Sequence, residues 1–350
     1  MHEFDYEKTP ERLLTPGIIS SVTAIHEHKG KQALFFSAKK DVLASLNNIA
    51  RVQSIESSNR IEGIFTSSKR IYELASLKTT PKNRSEEEIA GYRDALALIH
   101  ESHDYIDITP SNILQLHAIM YKQTASSIGG HFKVGDNSIV EVDPNGQQHE
   151  RFRPVPAVAT PSAMDGLCAA YRSAIAAGVH DPLILTCMFV FDFTCIHPFN
   201  DGNGRMSRLL TLLALYRAGY LVGKYVSIEK VIEDSKATYY EALAASSTGW
   251  NENENDYEPF VRYLLGVVLS ACKDFENRVA DANSVGKSKP ARVAAVFDRK
   301  LGKIRKADIL AECPDISETT VERTLHDLLE AGAIKKVGRG PATGYVKASQ

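Results

Sequence analysis

The spacing of apolar and polar residues along this chain predicts a mainly helical protein. Residues 31–64 carry apolar side chains near helical spacing, with few helix breakers between them. A second helix is predicted to start at residues 85–88, where three glutamates fall in its first turn, and a third at Thr109. Helical patterning resumes at Ala163 and continues, with short turns, to about Arg278. Most of the chain is therefore expected to be α-helix.

One segment inside this helical pattern has a different character. From residue 127 to 156 the sequence is rich in glycine and proline, and residues 132–142 have β character. This pattern predicts a β-hairpin, or flap, set into a helical domain. Its turn is expected either at residues 143–146 or at residues 135–137.

A third region begins near residues 283–290, where the composition indicates a linker. Residues 287–350 contain thirteen Lys and Arg against eight Asp and Glu, whereas the whole chain has a net charge of −2. The pattern of helix, helix, turn, helix and hairpin resembles a winged helix-turn-helix. We therefore predict three regions: an N-terminal helical region at 1–105, a central domain at 106–280 and a winged-helix domain at 288–350.

Composition narrows the class of protein. Hydrophobic residues make up 43% and charged residues 24% of the chain, which are ordinary globular values. The small net charge gives no general attraction to nucleic acid or membrane, and the five cysteines show no C-x-x-C pairing. No secretory signal is visible at residues 1–14, and the longest apolar run, residues 183–196, is too short to span a bilayer. These features predict a cytoplasmic protein without a membrane partner.

The strongest chemical signal is the stretch from His197 to Arg205, which precedes a helical pattern. A glycine-rich turn that opens a helix presents free amide groups and a positive dipole end, so it binds anions. His197 suits a general base because its reference pKa is near neutrality. Asp201 is a hard oxygen ligand for Mg²⁺, and Arg205 and Arg208 lie one helical turn apart, so both are predicted to face phosphates. The alternative, a helix cap that happens to be polar, explains this combination poorly.

Residues 197–208 read H-P-F-N-D-G-N-G-R-M-S-R and so resemble the signature of the Fic (Fic/Doc) family, H-P-F-x-D-G-N-G-R-x-x-R, at every position. Proteins of this family transfer AMP from ATP to hydroxyl side chains. The resemblance extends roughly from Ser111 to Gly266. It implies a Fic-type helical core with ATP as substrate, Mg²⁺ as cofactor and His197 as catalytic base. The nucleotide-binding residues predicted from this stretch are Asp201, Gly202, Asn203, Gly204, Arg205, Met206, Ser207 and Arg208, and Phe199 is expected to face the core.

A second motif lies near residue 60. Ser58, Glu62 and Gly63 fit the pattern [ST]-x-x-x-E-[GN] that one class of Fic proteins carries on an N-terminal inhibitory helix. Without that resemblance, the segment reads as an ordinary helix end with a glycine cap. Ser58 lies one turn before Glu62 and is predicted to hold its carboxylate, which then pairs with Arg208. An arginine held in this way cannot also bind the γ-phosphate of ATP.

Two further sets of residues are assigned by the same resemblance. The flap of Fic proteins holds the target segment as an added strand, so four flap residues are predicted to line that edge and to touch ATP: Asn137, Ser138, Ile139 and Val140. Tyr239 and Tyr240 are predicted to lie around adenine. The simpler alternatives are a surface hairpin and helix-core packing. His100 and His103 are interpreted as solvated, with metal binding as the alternative.

Together these patterns predict a mainly α protein with a Fic-type helical core, a β-hairpin flap and a C-terminal winged helix-turn-helix domain. The predicted function is a protein adenylyltransferase that is inhibited by its own Glu62. Its expected partners are ATP, an unknown target protein docked on the flap, and itself as an AMP acceptor; a homo-oligomer is left open. Two alternatives remain: a winged-helix DNA-binding regulator with a nucleotide-handling domain, and a Fic enzyme that removes AMP or transfers another nucleotide.

Overall fold

The computed structural model describes residues 2–38, 40–124, 128–142, 148–283, 288–300, 302–338, 340 and 343–348. Helices dominate the described chain, which confirms the mainly helical prediction. The chain divides into two compact units, residues 1–275 and 276–350. Part of the predicted linker, residues 284–287, lies outside the described residues. Among the described residues, no helix combines the length and the apolar character that crossing a membrane requires.

The first unit is built from helices that surround two buried ones, α8 and α9. The helices up to the β-hairpin region are α1 (Thr9–Arg12), α2 (Pro16–Ala38), α3 (Lys40–Ile61), α4 (Ser68–Ala75), α5 (Arg84–Ser102) and α6 (Pro110–Tyr121). Those that follow are α7 (Thr160–Ala177), α8 (Pro182–Ile196), α9 (Asn203–Arg217), α10 (Ile228–Asp234), α11 (Lys236–Ser247) and α12 (Glu258–Asn283), the last of which extends into the second unit.

Helix α8 forms the centre of this unit because its sequence is apolar on every side. The Asp181 carboxylate caps its first turn and Pro182 occupies the first helical position, where its missing N–H costs nothing. Nearly every residue of α8 is buried, as expected for a helix without a polar face. The helix ends at His197, whose left-handed backbone (φ 51°) stops the helical hydrogen-bond pattern.

A two-stranded antiparallel sheet lies where β character was predicted. It consists of β1 (Ile139–Val142) and β2 (Gln148–Phe152), with Val140 opposite Glu150 and an irregularity next to Ile139. The strand is shorter than predicted, since residues 131–138 form a loop. The predicted turn at residues 143–146 lies outside the described residues.

Helix α3 is fixed to α10 by a row of buried hydroxyl groups. Ser54 donates to Glu229 (2.7 Å) and Ser57 donates to Glu233 (2.7 Å). At the C-terminal end of α3, the Lys236 ammonium donates to the carbonyl of Ile61 (2.7 Å). A cation at a helix C-terminus is favoured by the helix dipole. These bonds set the position of the residue that follows Ile61, which is Glu62.

His100 and His103 correct a sequence-based interpretation. Both histidines are buried rather than solvated, and both rings pack edge-on against Tyr216, with centroid distances of 5.6 and 5.3 Å. Burial lowers the pKa of His100 to about 3, so this ring is neutral at pH 7. Among the described residues, no group of three or more His, Cys, Asp or Glu could hold a metal ion.

After the end of α12, the described residues of the second unit form three helices and a second strand pair. They are α13 (Lys289–Arg299), α14 (Lys306–Glu312), α15 (Glu318–Glu330), β3 (Ile334–Val337) and β4 (Gly344–Lys347). The two strands are antiparallel, and Ile304 forms a single bridge to Tyr345 in β4. Apolar residues from all three helices and from β3 form one core, which is centred on Val296, Ile309 and Val321.

The N-terminal segment is attached to α8 through a buried carboxylate, Asp192. This carboxylate accepts hydrogen bonds from the hydroxyls of Tyr6 (2.8 Å) and Tyr257 (2.9 Å) and from the indole of Trp250 (2.8 Å). Burial raises the pKa of Asp192 to about 7, although all three donors favour its charged form. The three bonds compensate for placing a carboxyl group in the core.

Tyr6→Phe is expected to destabilise the first unit, because it leaves one oxygen of buried Asp192 without its donor. The expected cost is about 1–3 kcal/mol. Thermal unfolding of the full chain measures this cost as a fall in Tm, by roughly 2–4 °C per kcal/mol in a large domain. Tyr105→Phe is the matched control, since the Tyr105 side chain is 90% exposed. An equal fall in both variants would contradict this account.

Candidate active site

The loop between α8 and α9 is held by the first residue of the helix that follows it. The Asn203 side chain accepts from the amide of Phe199 (2.9 Å) and donates to its carbonyl (2.8 Å). Asn203 is buried, so its side chain serves the loop rather than a ligand. The Phe199 ring is fully buried, which confirms the prediction that it faces the core.

His117, on α6, supports the same loop from the other side. Its ring stacks on Phe199, with centroids 3.8 Å apart and planes within 3°. The amide of Gly130 donates to His117 Nδ1 (3.0 Å), so Nε2 carries the proton and donates to the carbonyl of Asp201 (3.0 Å). Burial lowers the pKa of His117 to about 4 and keeps the ring neutral. The sequence showed His117 only as one position on a helical face.

His197, the predicted base, is partly buried at the start of this loop. Burial lowers the pKa of His197 to about 4, and the ammonium of Lys133 lowers it further. The Thr194 carbonyl and the Glu62 carboxylate act in the opposite direction. The imidazole is therefore neutral at pH 7 and has a lone pair available to accept a proton.

The start of α9 has the geometry of an anion site. Gly202 precedes the helix in a left-handed conformation (φ 83°), and no side chain caps the first turn. The amides at the start of a helix have no intrahelical partner, so an anion can accept from them. Asp201 accepts from the Gly202 amide (2.6 Å), and its side chain remains 47% exposed. One exposed carboxylate is what Mg²⁺ usually takes from a protein when a nucleotide supplies further oxygen ligands.

The predicted pair of Glu62 and Arg208 is present. Arg208 Nη2 donates to Glu62 Oε1 (2.7 Å), and the Arg208 side chain is only 2% exposed while that of Glu62 is 31% exposed. Glu62 raises the pKa of Arg208 against the effect of burial. The carboxylate also covers the start of α9, since a β-carbon on Gly204 would collide with it. Glu62 therefore occupies the place where an anionic ligand would approach both groups.

The role predicted for Ser58 was wrong. Its hydroxyl accepts from Arg208 Nε (2.8 Å), and its carbonyl accepts from Arg208 Nη2 (2.8 Å). Ser58 therefore holds the arginine and not the carboxylate of Glu62. The physical reason is that a buried guanidinium has several N–H groups that each need an acceptor.

Arg205 is buried against two protein partners, and its predicted contact with the phosphates stays a prediction. Its side chain is 1% exposed, and Nη2 contacts Glu88 Oε2 (2.8 Å) and the Tyr121 hydroxyl (2.7 Å). Within the described chain, Arg205 Nε and Nη1 have no hydrogen-bond partner. Glu88, which the sequence did not single out, thus neutralises a buried charge. Arg205 is held by α5 and α6, while Arg208 is held by α3.

Three more predicted nucleotide contacts have other partners. Met206 is fully buried and its amide bonds to the Gly202 carbonyl, so it has no polar group left for a nucleotide. Ser207 is buried and its hydroxyl donates to the Gly204 carbonyl (2.8 Å). The Asn137 amide group donates to the Phe199 carbonyl (3.2 Å), so this side chain supports the loop.

The pair formed by Tyr239 and Tyr240 lies near Glu62. Tyr239 is buried and Tyr240 is 42% exposed, and their rings are 5.2 Å apart. Burial raises the pKa of Tyr240 to about 12, and the charge of Glu62 contributes to this shift. Along β1, the Val140 side chain is 46% exposed and Ser138 is exposed before it. Adenine contacts by the tyrosines and target contacts by Ser138, Ile139 and Val140 stay predictions.

The central part of the chain is similar in sequence to proteins of a known family. Residues 107–215 match the model of the Fic/DOC family. A protein adenylyltransferase Fic from Aedes aegypti is 40% identical over 83 residues, which are 24% of this chain. The matched stretch is only 14% of that relative, so the chain covers a small part of it.

Solved structures show the same fold over a larger part of the chain. A Fic family protein from Desulfovibrio desulfuricans G20 gives a TM-score of 0.62 at 22% identity, covering 96% of this chain and 97% of that one. A Fic domain containing signaling protein from Bacteroides thetaiotaomicron VPI-5482 gives 0.61 at 23% identity, covering 73% and 94%. At such identities the likeness shows the fold alone. Residues 107–215 are therefore similar in sequence to the Fic/DOC family, and the chain shares the helical fold of these Fic structures.

Proposed function

We propose that this chain is a protein adenylyltransferase that transfers AMP from ATP to a Ser, Thr or Tyr hydroxyl of a protein. The observation that carries the proposal is the arrangement between α8 and α9. A neutral His197, an exposed Asp201 and the uncapped start of α9 follow one another within seven residues. These are the three groups that nucleotidyl transfer requires: a base, a metal ligand and an anion site.

In the proposed reaction the acceptor hydroxyl gives its proton to His197. The hydroxyl oxygen forms a bond to the α-phosphorus of ATP, and the bond between that phosphorus and the β-bridging oxygen breaks. Pyrophosphate leaves with the electron pair of that bond. The amides at the start of α9 stabilise the negative charge on the phosphates because they are already oriented.

Mg²⁺ is the proposed cofactor, and Asp201 would hold it. Bound there with ATP, Mg²⁺ supplies charge neutralisation on the phosphates. The donor set fits this ion, because Mg²⁺ is commonly held by one or two carboxylates together with substrate phosphates. The Asp201 carbonyl and carboxylate are both fixed, the first by His117 and the second by the Gly202 amide.

Glu62 is proposed to keep the enzyme inhibited. Its carboxylate pairs with Arg208 and covers the start of α9, so a γ-phosphate that approached Arg208 would meet a like charge. ATP can still bind in another pose, with its phosphates misplaced for transfer. Release of Glu62 would leave Arg208 free to bind the nucleotide.

The remaining partners follow from the same proposal. A target protein, or another part of the same chain, would add a strand along the edge of β1 and present its hydroxyl to His197. Tyr239 and Tyr240 would lie against adenine. A homo-oligomer of this chain is compatible with this proposal, which does not require one.

The second unit is proposed to be a winged helix that docks protein rather than DNA. Its three helices and strand pair follow the winged-helix order. Its third helix, α15, would be the one to enter the major groove, but four of its exposed residues are acidic and only Arg323 is strongly basic. Lys306 is already paired with Glu318 and Glu322. Such a surface repels phosphates, so the DNA-binding alternative has little support.

Glu62→Ala is expected to raise self-modification with ATP by at least about tenfold, since a loss of roughly 1.4 kcal/mol of inhibitory interaction suffices for that factor. Intact-mass spectrometry after incubation with ATP and Mg²⁺ counts the AMP adducts. Glu56→Ala is the matched control, because Glu56 lies on α3, which Glu62 directly follows, and pairs with Arg60 instead. Equal adduct formation by Glu62→Ala and the unchanged protein would rule out inhibition by Glu62.

His197→Ala, made in the Glu62→Ala protein, is expected to reduce AMP transfer by roughly 10²–10⁴, the usual contribution of a positioned base. ATP affinity should stay within about twofold by calorimetry, because the imidazole does not hold the phosphates. His326→Ala, an exposed histidine of the second unit, is the control and should transfer at the parent rate. Transfer that survives in His197→Ala would refute the assignment of the base.

A further inference from the structure

A buried lysine links the flap to the catalytic loop. The flap root, residues 133–137, leads into β1, and Lys133 in it is only 3% exposed. The Lys133 ammonium donates to the side-chain oxygen of Asn137 (2.8 Å) and to the carbonyl of Ile196 (3.2 Å). Its own amide donates to the carbonyl of Pro198 (2.8 Å). The two carbonyls belong to the residues on either side of His197.

These bonds satisfy carbonyl groups at the end of α8 and directly after it. The last carbonyls of a helix have no intrahelical partner, and a cation near them is favoured by the helix dipole. Burial lowers the pKa of Lys133 to about 8, so the side chain is still mainly a cation at pH 7. Asn137 extends the connection, since its amide donates to the Phe199 carbonyl (3.2 Å). The carbonyls of residues 196, 198 and 199 are thereby all bonded to the flap root.

We propose that Lys133 is a positioning residue for His197, whose ammonium fixes the peptides around the catalytic histidine and ties them to the flap that would present the acceptor. The inference rests on the proposed function for its catalytic meaning. One side chain then holds both the loop of the base and the root of the flap. The distance from the base to the acceptor strand is therefore fixed by Lys133 as well as by the flap. No part of the nucleotide needs to touch Lys133.

The charge of Lys133 has a second consequence for His197. Within the described residues, three charged groups act on the pKa of this histidine: Lys133 of the flap root, Glu62 after α3 and Arg151 of β2. Lys133 and Arg151 lower the pKa of His197, whereas Glu62 raises it. When the Lys133 cation is removed, the pKa of His197 should rise. As the pH is lowered, the base would then become protonated at a higher pH. The acidic limb of the pH–rate profile would therefore shift to higher pH.

Lys133→Met and Lys133→Arg test this proposal in the Glu62→Ala protein. Lys133→Met should lower kcat at least about tenfold while the KM for ATP changes less than about threefold, because binding does not involve the lysine. NMR of isotope-labelled histidine, with the His197 signal assigned by His197→Ala, should show its pKa moving up by roughly half a unit or more. Lys133→Arg should restore most of both properties, since it keeps the charge.

Lys29→Met is the matched control. The Lys29 ammonium also donates to a helix-terminal carbonyl, that of Ala218 after α9 (2.9 Å), but at a different end of the unit. Loss of this lysine should lower Tm and leave kcat and the His197 titration unchanged. An unchanged kcat and an unchanged titration in Lys133→Met would overturn the proposal. So would a titration that moves equally in Lys29→Met.

A variant that keeps the cation covers the case in which Lys133→Met does not fold. Asn137→Ala removes the partner of the ammonium and the bond to the Phe199 carbonyl, so kcat should fall without a rise in the pKa of His197. A kcat equal to the parent value would overturn the positioning role. If the Glu62→Ala protein transfers no AMP at all, the proposed function fails, whereas the histidine titration still decides whether Lys133 acts on His197.

Discussion

The structure depends on how a short loop between two buried helices satisfies its own polar groups. Residues 197–202 connect α8 and α9, which lie in the core, and Pro198, Phe199 and Gly202 of this loop are buried. Buried carbonyls and amides need partners, and here side chains from three separate segments provide them. Asn203 bonds Phe199, His117 bonds Asp201, and Lys133 bonds the carbonyls on both sides of His197. The geometry of the candidate site therefore follows from the way these backbone groups are bonded.

A second constraint acts on the far side of α9. Arg208 is a fully buried cation, and a buried cation without a counter-charge is costly. In this structure Glu62 provides that charge, and Ser58 occupies further N–H groups of the guanidinium. Under the proposed function, a γ-phosphate would be the alternative anion. Inhibition and nucleotide binding then compete for one positive charge.

Much of the candidate site could be predicted from sequence, yet several details of it could not. The pairing of Glu62 with Arg208 was expected and is present. The partner of Ser58 was predicted wrongly and the pairing of Arg205 was not predicted, because helical spacing tells which residues share a face and not which groups the neighbouring helix provides. Arg205 meets Glu88 on α5, a residue that looked like one of several exposed glutamates at a helix start. Similarly, Lys133 and His117 belong to no recognisable motif, so the sequence does not mark them as part of the site.

The sequence by itself determined the helical core, the loop chemistry and the family resemblance, because each depends on residues within a few positions of one another. Helical periodicity, the glycines at the start of α9 and the order of His197, Asp201 and Arg208 are local properties. Only the tertiary structure decided which charges are buried and what they meet. His117 and Asp201 are 84 positions apart, and Arg208 and Ser58 are 150 apart. Burial and distant partners set the pKa of His197, and the spacing of residues along the chain gives information about neither.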